Sequence, residues 1–105
     1  MKGSIVADLA EVTATMAANK AFVPGRRIKF DFGETGVILL DGVAGVVSAT
    51  DGPAETTIRM SFDNFKALAQ GKLNPTMAFM TGKIKIDGDM GLAMQLQSVT
   101  SKLNL

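Results

Sequence analysis

Near the start of the chain, apolar residues recur at helical spacing: Ile5, Leu9, Val12 and Met16 fall on one face. Ser4 stands where such a helix would be capped, and Pro24-Gly25 is a pair through which it cannot easily continue. The period then drops to two. In RRIKFDF, Ile28, Phe30 and Phe32 alternate with Lys29 and Asp31, which predicts a strand with one dry and one wet face. Gly33-Glu34-Thr35-Gly36 makes a turn, and VILLD returns as a more fully buried strand. Asp41-Gly42 turns the chain into AGVVSAT, which Asp51-Gly52-Pro53 closes. ETTIRMS alternates again, with Ile58 and Met60 opposed to Thr57 and Arg59. Successive strands joined by short turns predict antiparallel neighbours.

The second half is mostly helical. Ser61 is a good N-cap, Asp63 suits a first turn, and Phe62, Phe65 and Leu68 repeat every third residue. Gly71 sits where a C-terminal glycine belongs, and Asn74-Pro75 opens a second short helix carrying Met77, Phe79 and Met80. A fifth strand follows, with Ile84 and Ile86 inward and Lys83, Lys85 and Asp87 outward. Asp89 caps a last helix striped by Leu92, Leu96, Val99 and Leu103 and widened by Met90, Ala93 and Met94. The expected fold class is α+β: a sheet of about five strands, mostly antiparallel, with helices packed on one face and water on the other. Residues 1–105 read as one domain, with no internal repeat or linker.

Composition narrows the chemistry. Eleven basic residues face ten acidic ones, a balance that gives no pull toward nucleic acid, so no nucleic-acid partner is expected. With no Cys and no His there is no disulfide, no thiolate nucleophile, no Ser–His pair and no ordinary zinc site. Neither a metal nor an organic cofactor is expected. Only carboxylates, lysines and hydroxyls remain for acid–base work, and Asp41, Asp63 and Asp89 show no spacing that implies a catalytic pair. The expected chain is not an enzyme. No segment reaches the ~20 apolar residues of a membrane span. Ser101-Lys102-Leu103 spells a peroxisomal address but is followed by Asn104 and Leu105, so a cytoplasmic location is expected.

Short motifs mostly have plain explanations. DGDMG, residues 87–91, resembles the start of a calcium loop but lacks its third acidic ligand, and Ser98 stands where the closing glutamate belongs. A turn followed by an N-cap accounts for both aspartates. Arg26, Arg27 and Lys29 could meet anionic headgroups or simply line a solvated strand edge. The methionines are less ordinary. Seven occur in the chain, five of them between Met60 and Met94, on elements expected to face the space between helices and sheet. Methionine fills irregular gaps in cores, yet a rigid core favours Leu, Ile and Val, while soft walls suit guests of variable shape.

The stretch from Phe65 through Leu68, Gly71, Leu73 and Pro75, continued by Ala78, Gly82, Lys83, Ile86, Gly88, Asp89, Ala93 and Leu96, resembles the signature half of the sterol carrier protein type 2 family. The order of elements over the whole chain is similar to that family's. The resemblance implies a five-stranded sheet with an apolar tunnel beneath its helices, and non-covalent binding of fatty acids, acyl-CoAs, sterols or phospholipids. A monomer or weak dimer is expected, with transient contact with a membrane surface. On this reading the sheet contributes Phe30, Ile58, Met60, Ile84 and Ile86 to the ligand site. The helices contribute Phe65, Leu68 and Leu96, with Met77, Met80, Met90 and Met94 as an adjustable lining. The rival expectation is an interaction module that supports assembly or presents lipid to an enzyme.

Overall fold

The computed structural model describes residues 4–69 and 71–100, with side chains described for 9–68, 71–74 and 76–95. The expected roles of Ile5, Leu96, Val99 and Leu103 as helix-stripe side chains, and the cap of the first helix, lie outside those residues. Helix α1 runs Ser4–Ala18, followed by β1 Arg27–Asp31, a 3-10 turn Gly33–Thr35, β2 Val37–Asp41, β3 Val46–Ser48 and β4 Thr56–Arg59. Helices α2 Phe62–Ala69 and α3 Pro75–Met80, strand β5 Lys85–Asp87 and helix α4 Met90–Thr100 complete the chain. The sheet order is β3-β2-β1-β4-β5, and all neighbours are antiparallel except β1 and β4. The fold is the expected α+β arrangement, with a mixed, mostly antiparallel sheet.

Register converts the alternation into layers. Val47, Leu40, Ile28 and Thr56 align across four strands, and Ile38, Phe30, Ile58 and Ile86 form the next row. Because strand side chains alternate, both rows share one face, and seven of the eight residues are buried, Ile86 only in part. VILLD is not a fully buried strand: Ile38 and Leu40 are buried while Val37, Leu39 and Asp41 are not. Helix α1 packs over β3, and α4 over β4 and β5.

Two departures from the expected path have physical causes. Strand β4 does not pair with β3; residues 49–55 carry the chain across the outer face to lay β4 parallel beside β1. Lys29 Nζ ties that crossing down by donating to Asp51 Oδ1 at 2.7 Å and to the Gly52 carbonyl at 3.1 Å. Helix α1 stops at Ala18, well before Pro24, because Lys20 adopts φ 51°. The Ala21 N–H bonds the Met16 carbonyl and the Lys20 N–H that of Ala17, a Schellman closure. Helices α2 and α3 close in the same way with Gly71 and Gly82 at the left-handed position. Lys20 does it with a side chain that resists that conformation.

The turn from β5 into α4 is held by a clasp. The Asp89 N–H donates to Thr56 Oγ1 at 3.0 Å, and Asp89 Oδ1 accepts the Leu92 N–H at 3.2 Å as the helix cap. Thr56 is the buried polar residue among those described. Gly88, at φ 125°, lies flat on this site: a Cβ there would collide with the Glu55 carbonyl oxygen and come within 2.9 Å of Thr56 Cα.

Gly88→Ala is expected to lower the unfolding free energy by about 2–4 kcal/mol, combining strain and collision. Lys20→Gly is expected to raise it by about 0.5–1 kcal/mol. Urea titration of the two variants beside the parent reads both signs; equal stability in all three would contradict these backbone assignments.

Candidate functional site

The inner face of the sheet is closed at its centre by aromatic packing. Ser61 Oγ accepts the Asn64 N–H at 3.0 Å and starts α2, which then sets Phe62 and Phe65 toward the strands. Phe65 meets Phe30 edge-on with centroids 5.0 Å apart, and Phe62 meets Phe32 at 5.1 Å. Phe65 retains 1% of its surface, so nothing but protein touches it. Phe32 and Phe62 belong to this cluster although sequence reasoning did not count them among site residues. Their signal was present, since Phe32 continues the β1 alternation and Phe62 opens the α2 stripe.

The sequence-predicted site residues separate into three groups. Phe30, Ile58, Met60, Phe65 and Ile84 are buried in the core; Leu68 and Ile86 are partly buried against it. Met77, Met80, Met90 and Met94 are exposed, which corrects the expectation that they face the space between helices and sheet. The correction follows from helix geometry at about 100° per residue. In α4 the buried pair Leu92 and Ala93 define the inner face, and Met90 and Met94 lie more than a quarter turn away from its centre. In α3 the inner contact is Ala78, and the methionines stand on the flanks and back. The side chain of Leu96 is outside the described residues. Leu73, partly buried on the core, was not among the expected site residues.

The outer face is a lattice of opposite charges. Arg27 reaches Asp41 at 3.3 Å, Lys29 reaches Asp51 at 2.7 Å, and Arg59 lies between Asp31 at 3.8 Å and Asp87 at 3.9 Å. Arg26 contacts Glu55 at 2.7 Å and Asp89 at 3.6 Å. The basic cluster of Arg26, Arg27 and Lys29 is therefore matched by carboxylates from within the fold. The Ala44 N–H, together with Arg27 and the Val43 N–H, holds the Asp41 carboxyl below its ordinary pKa. Lys29 and the Gly52 N–H do the same for Asp51. Asp41 and Asp89 thus have turn and cap duties, and among the described residues no three acidic groups gather as a metal site would need. No helix among the described residues is long and apolar enough to cross a membrane.

A five-stranded sheet with helices laid over it is an arrangement seen in known proteins. The model of the SCP-2 sterol transfer family matches residues 6–101. The chain belongs to that family. Domains of the SCP-2 family bind and transfer lipids and in general are carriers rather than catalysts. Human sterol carrier protein 2 is 48% identical over 59 residues, which are 56% of this chain and 11% of the human protein. Hydroxysteroid dehydrogenase-like protein 2 of Xenopus tropicalis is 42% identical over 67 residues, 63% of this chain and 16% of that protein. The chain thus spans a small part of the curated relatives it matches. Among solved SCP-2 structures, sterol carrier protein 2 of Aedes aegypti in complex with palmitate superposes with a TM-score of 0.74 at 23% identity, covering 90% of this chain and 94% of that one. The apo form from Yarrowia lipolytica gives 0.64 at 26% identity, covering 87% and 77%.

Phe65→Ala is expected to cost about 3–5 kcal/mol of stability, whereas Met94→Ser stays within about 0.5 kcal/mol. Chemical denaturation measures both; a large loss at Met94 would show it to be a core residue. Lowered carboxylate pKa values stabilise the fold above the ordinary carboxylate pKa, and that contribution is lost as pH falls through the lowered values. The melting temperature is accordingly expected to fall below about pH 4, less steeply in Asp51→Asn.

Proposed function

We propose that this domain binds a lipid with a long apolar tail, non-covalently, along the border between β5 and the helices that cover it. The observation that supports this most directly is Ile86. It completes the inward row Ile38–Phe30–Ile58–Ile86, yet it alone of the four remains partly exposed, at the edge strand of the sheet. There the cover is incomplete. Helix α4 buries Leu92 and Ala93, while Met90 and Met94 are exposed. The tail lies against Ile86 and Leu68, over the closed packing of Ile84, Ile58, Met60, Phe30 and Phe65, which it leaves undisturbed. Met90 and Met94 fold over it, and Met77 and Met80 edge the mouth.

Magnitudes suit a border site better than a permanently empty tunnel. An unfilled apolar cavity of ~300 Å³ would cost on the order of 7 kcal/mol, against a total stability of about 5–15 kcal/mol for a domain of this size. A groove that soft side chains close when vacant avoids that loss. Covering a sixteen-carbon tail gains about 0.8 kcal/mol per methylene, roughly 11 kcal/mol gross. After association costs, affinity falls near the micromolar range or somewhat tighter. The palmitate bound by the Aedes aegypti relative has a tail of this kind.

A second reading has support from the match to part of a dehydrogenase-like protein: the domain presents its lipid to an enzyme rather than carrying it between membranes. Both readings require a bound lipid. The protein is expected to purify with lipid visible by native mass spectrometry, and to melt at lower temperature once stripped, recovering on addition of palmitate. A lipid-free mass after mild purification, with no thermal shift from palmitate or oleoyl-CoA, would overturn the proposal.

A further inference from the structure

The chain contains seven methionines and no Cys, His, Trp or Tyr. Two-electron oxidants, which elsewhere divide among thiols, imidazoles, indoles and phenols, therefore find only thioethers here. The fold sorts those thioethers into two kinds. Met16 in α1 and Met60, just past β4, are buried in the core. Met77, Met80, Met90 and Met94 keep between 43% and 74% of their surface in water. Met1 lies outside the described residues.

The four exposed sulfurs are not scattered. They occupy the two helices that adjoin β5 in the chain, α3 before it and α4 after it. Within each helix they are neighbours, three residues apart in α3 and four apart in α4, spacings that set side chains next to one another on a helix surface. Both helices are held by contacts that involve no sulfur. The Ile84 N–H donates to the Ala78 carbonyl at 3.2 Å, which ties the end of α3 to the approach to β5. The Asp89 clasp on Thr56 fixes the start of α4. Inward packing of the two helices runs through Ala78, Leu92 and Ala93. An oxygen added to any of the four methionines thus meets water and displaces no core atom.

We propose that these four methionines are an oxidation site, and that sulfoxide at Met90 and Met94 loosens the domain's hold on an apolar tail. The oxidant is a hydroperoxide, hydrogen peroxide in the simplest case. A sulfur lone pair attacks one peroxide oxygen, and the O–O bond breaks as the S–O bond forms. The departing hydroxide takes the proton of the transferred oxygen and leaves as water. Sulfur loses two electrons and the peroxide gains them. The product is a polar group that accepts hydrogen bonds where an apolar thioether stood. The consequence for binding rests on the placement of a tail beside Ile86, under Met90 and Met94. A thioether covers methylenes without loss of hydration, whereas a sulfoxide gives up hydrogen bonds to water to do so. Oxidation therefore favours the vacant state. The chain has no cysteine with which to reduce the sulfoxide, so reversal falls to an external, thiol-dependent sulfoxide reductase.

Limited treatment of the lipid-stripped protein with hydrogen peroxide, followed by peptide mass mapping and palmitate titration, tests this. One oxygen each is expected at Met77, Met80, Met90 and Met94, with Met16 and Met60 unmodified until denaturant unfolds the chain. The oxidised protein is expected to keep its circular dichroism and to bind palmitate about tenfold more weakly. Methionine sulfoxide reductase is expected to restore the affinity. Met90→Leu combined with Met94→Leu, compared with itself before and after peroxide, is expected to show no change. Oxidation of Met16 and Met60 as early as the others, palmitate affinity unaltered by sulfoxide, an equal loss in the double leucine variant, or loss of binding through unfolding would each overturn the proposal. Untreated protein that takes up no palmitate would overturn the lipid-binding reading and this consequence together, which separates the two failures.

Discussion

Edge-to-face packing of Phe65 on Phe30 and of Phe62 on Phe32 joins α2 to a sheet whose inward side chains are nearly all apolar. Aromatic pairs of this geometry add about 0.5–1.5 kcal/mol each beyond the area they bury. The larger consequence is positional. With its centre sealed, the sheet leaves one inward apolar residue, Ile86, partly exposed at its β5 edge. In the chain β5 follows α3 and precedes α4, and it is at this edge that the proposed guest would enter.

The two sides of the sheet use charge differently. Across the outer face, Arg27, Lys29 and Arg59 are balanced by carboxylates on neighbouring strands and on the crossing loop. Exposed pairs of this kind are worth little individually, but together they leave that face electrically quiet. From Asn64 to Ile86 the sequence carries lysines and neither aspartate nor glutamate. A net charge of +1 for the whole chain conceals this segregation.

Much of the second half was legible because its signals are local. Ser61, Asn74-Pro75 and Asp89 each cap the helix they precede, and Gly71 and Gly82 close α2 and α3, as their residue types require. What escaped was set by distance or direction. No local pattern says that β4 passes over β2 to lie parallel with β1, since the register depends on contacts such as Glu55 N–H to the Arg27 carbonyl. Lys20 ends α1 in a conformation that ordinarily announces itself with glycine. The methionines read as apolar but carried no indication of side, because α3 is too short for periodicity to assign a face and Ala78, the smallest apolar residue there, takes the inner position.

The proposed alkyl tail lies beside Ile86, under Met90 and Met94, and leaves the aromatic centre of the sheet undisturbed. Methyl NMR during titration with palmitate observes these groups separately. The expected result is large shifts at Ile86, Met90 and Met94, with Ile28 on β1 and Ile38 on β2 unmoved. Shifts centred on Ile28 and Ile38, or no shifts at all, would contradict it.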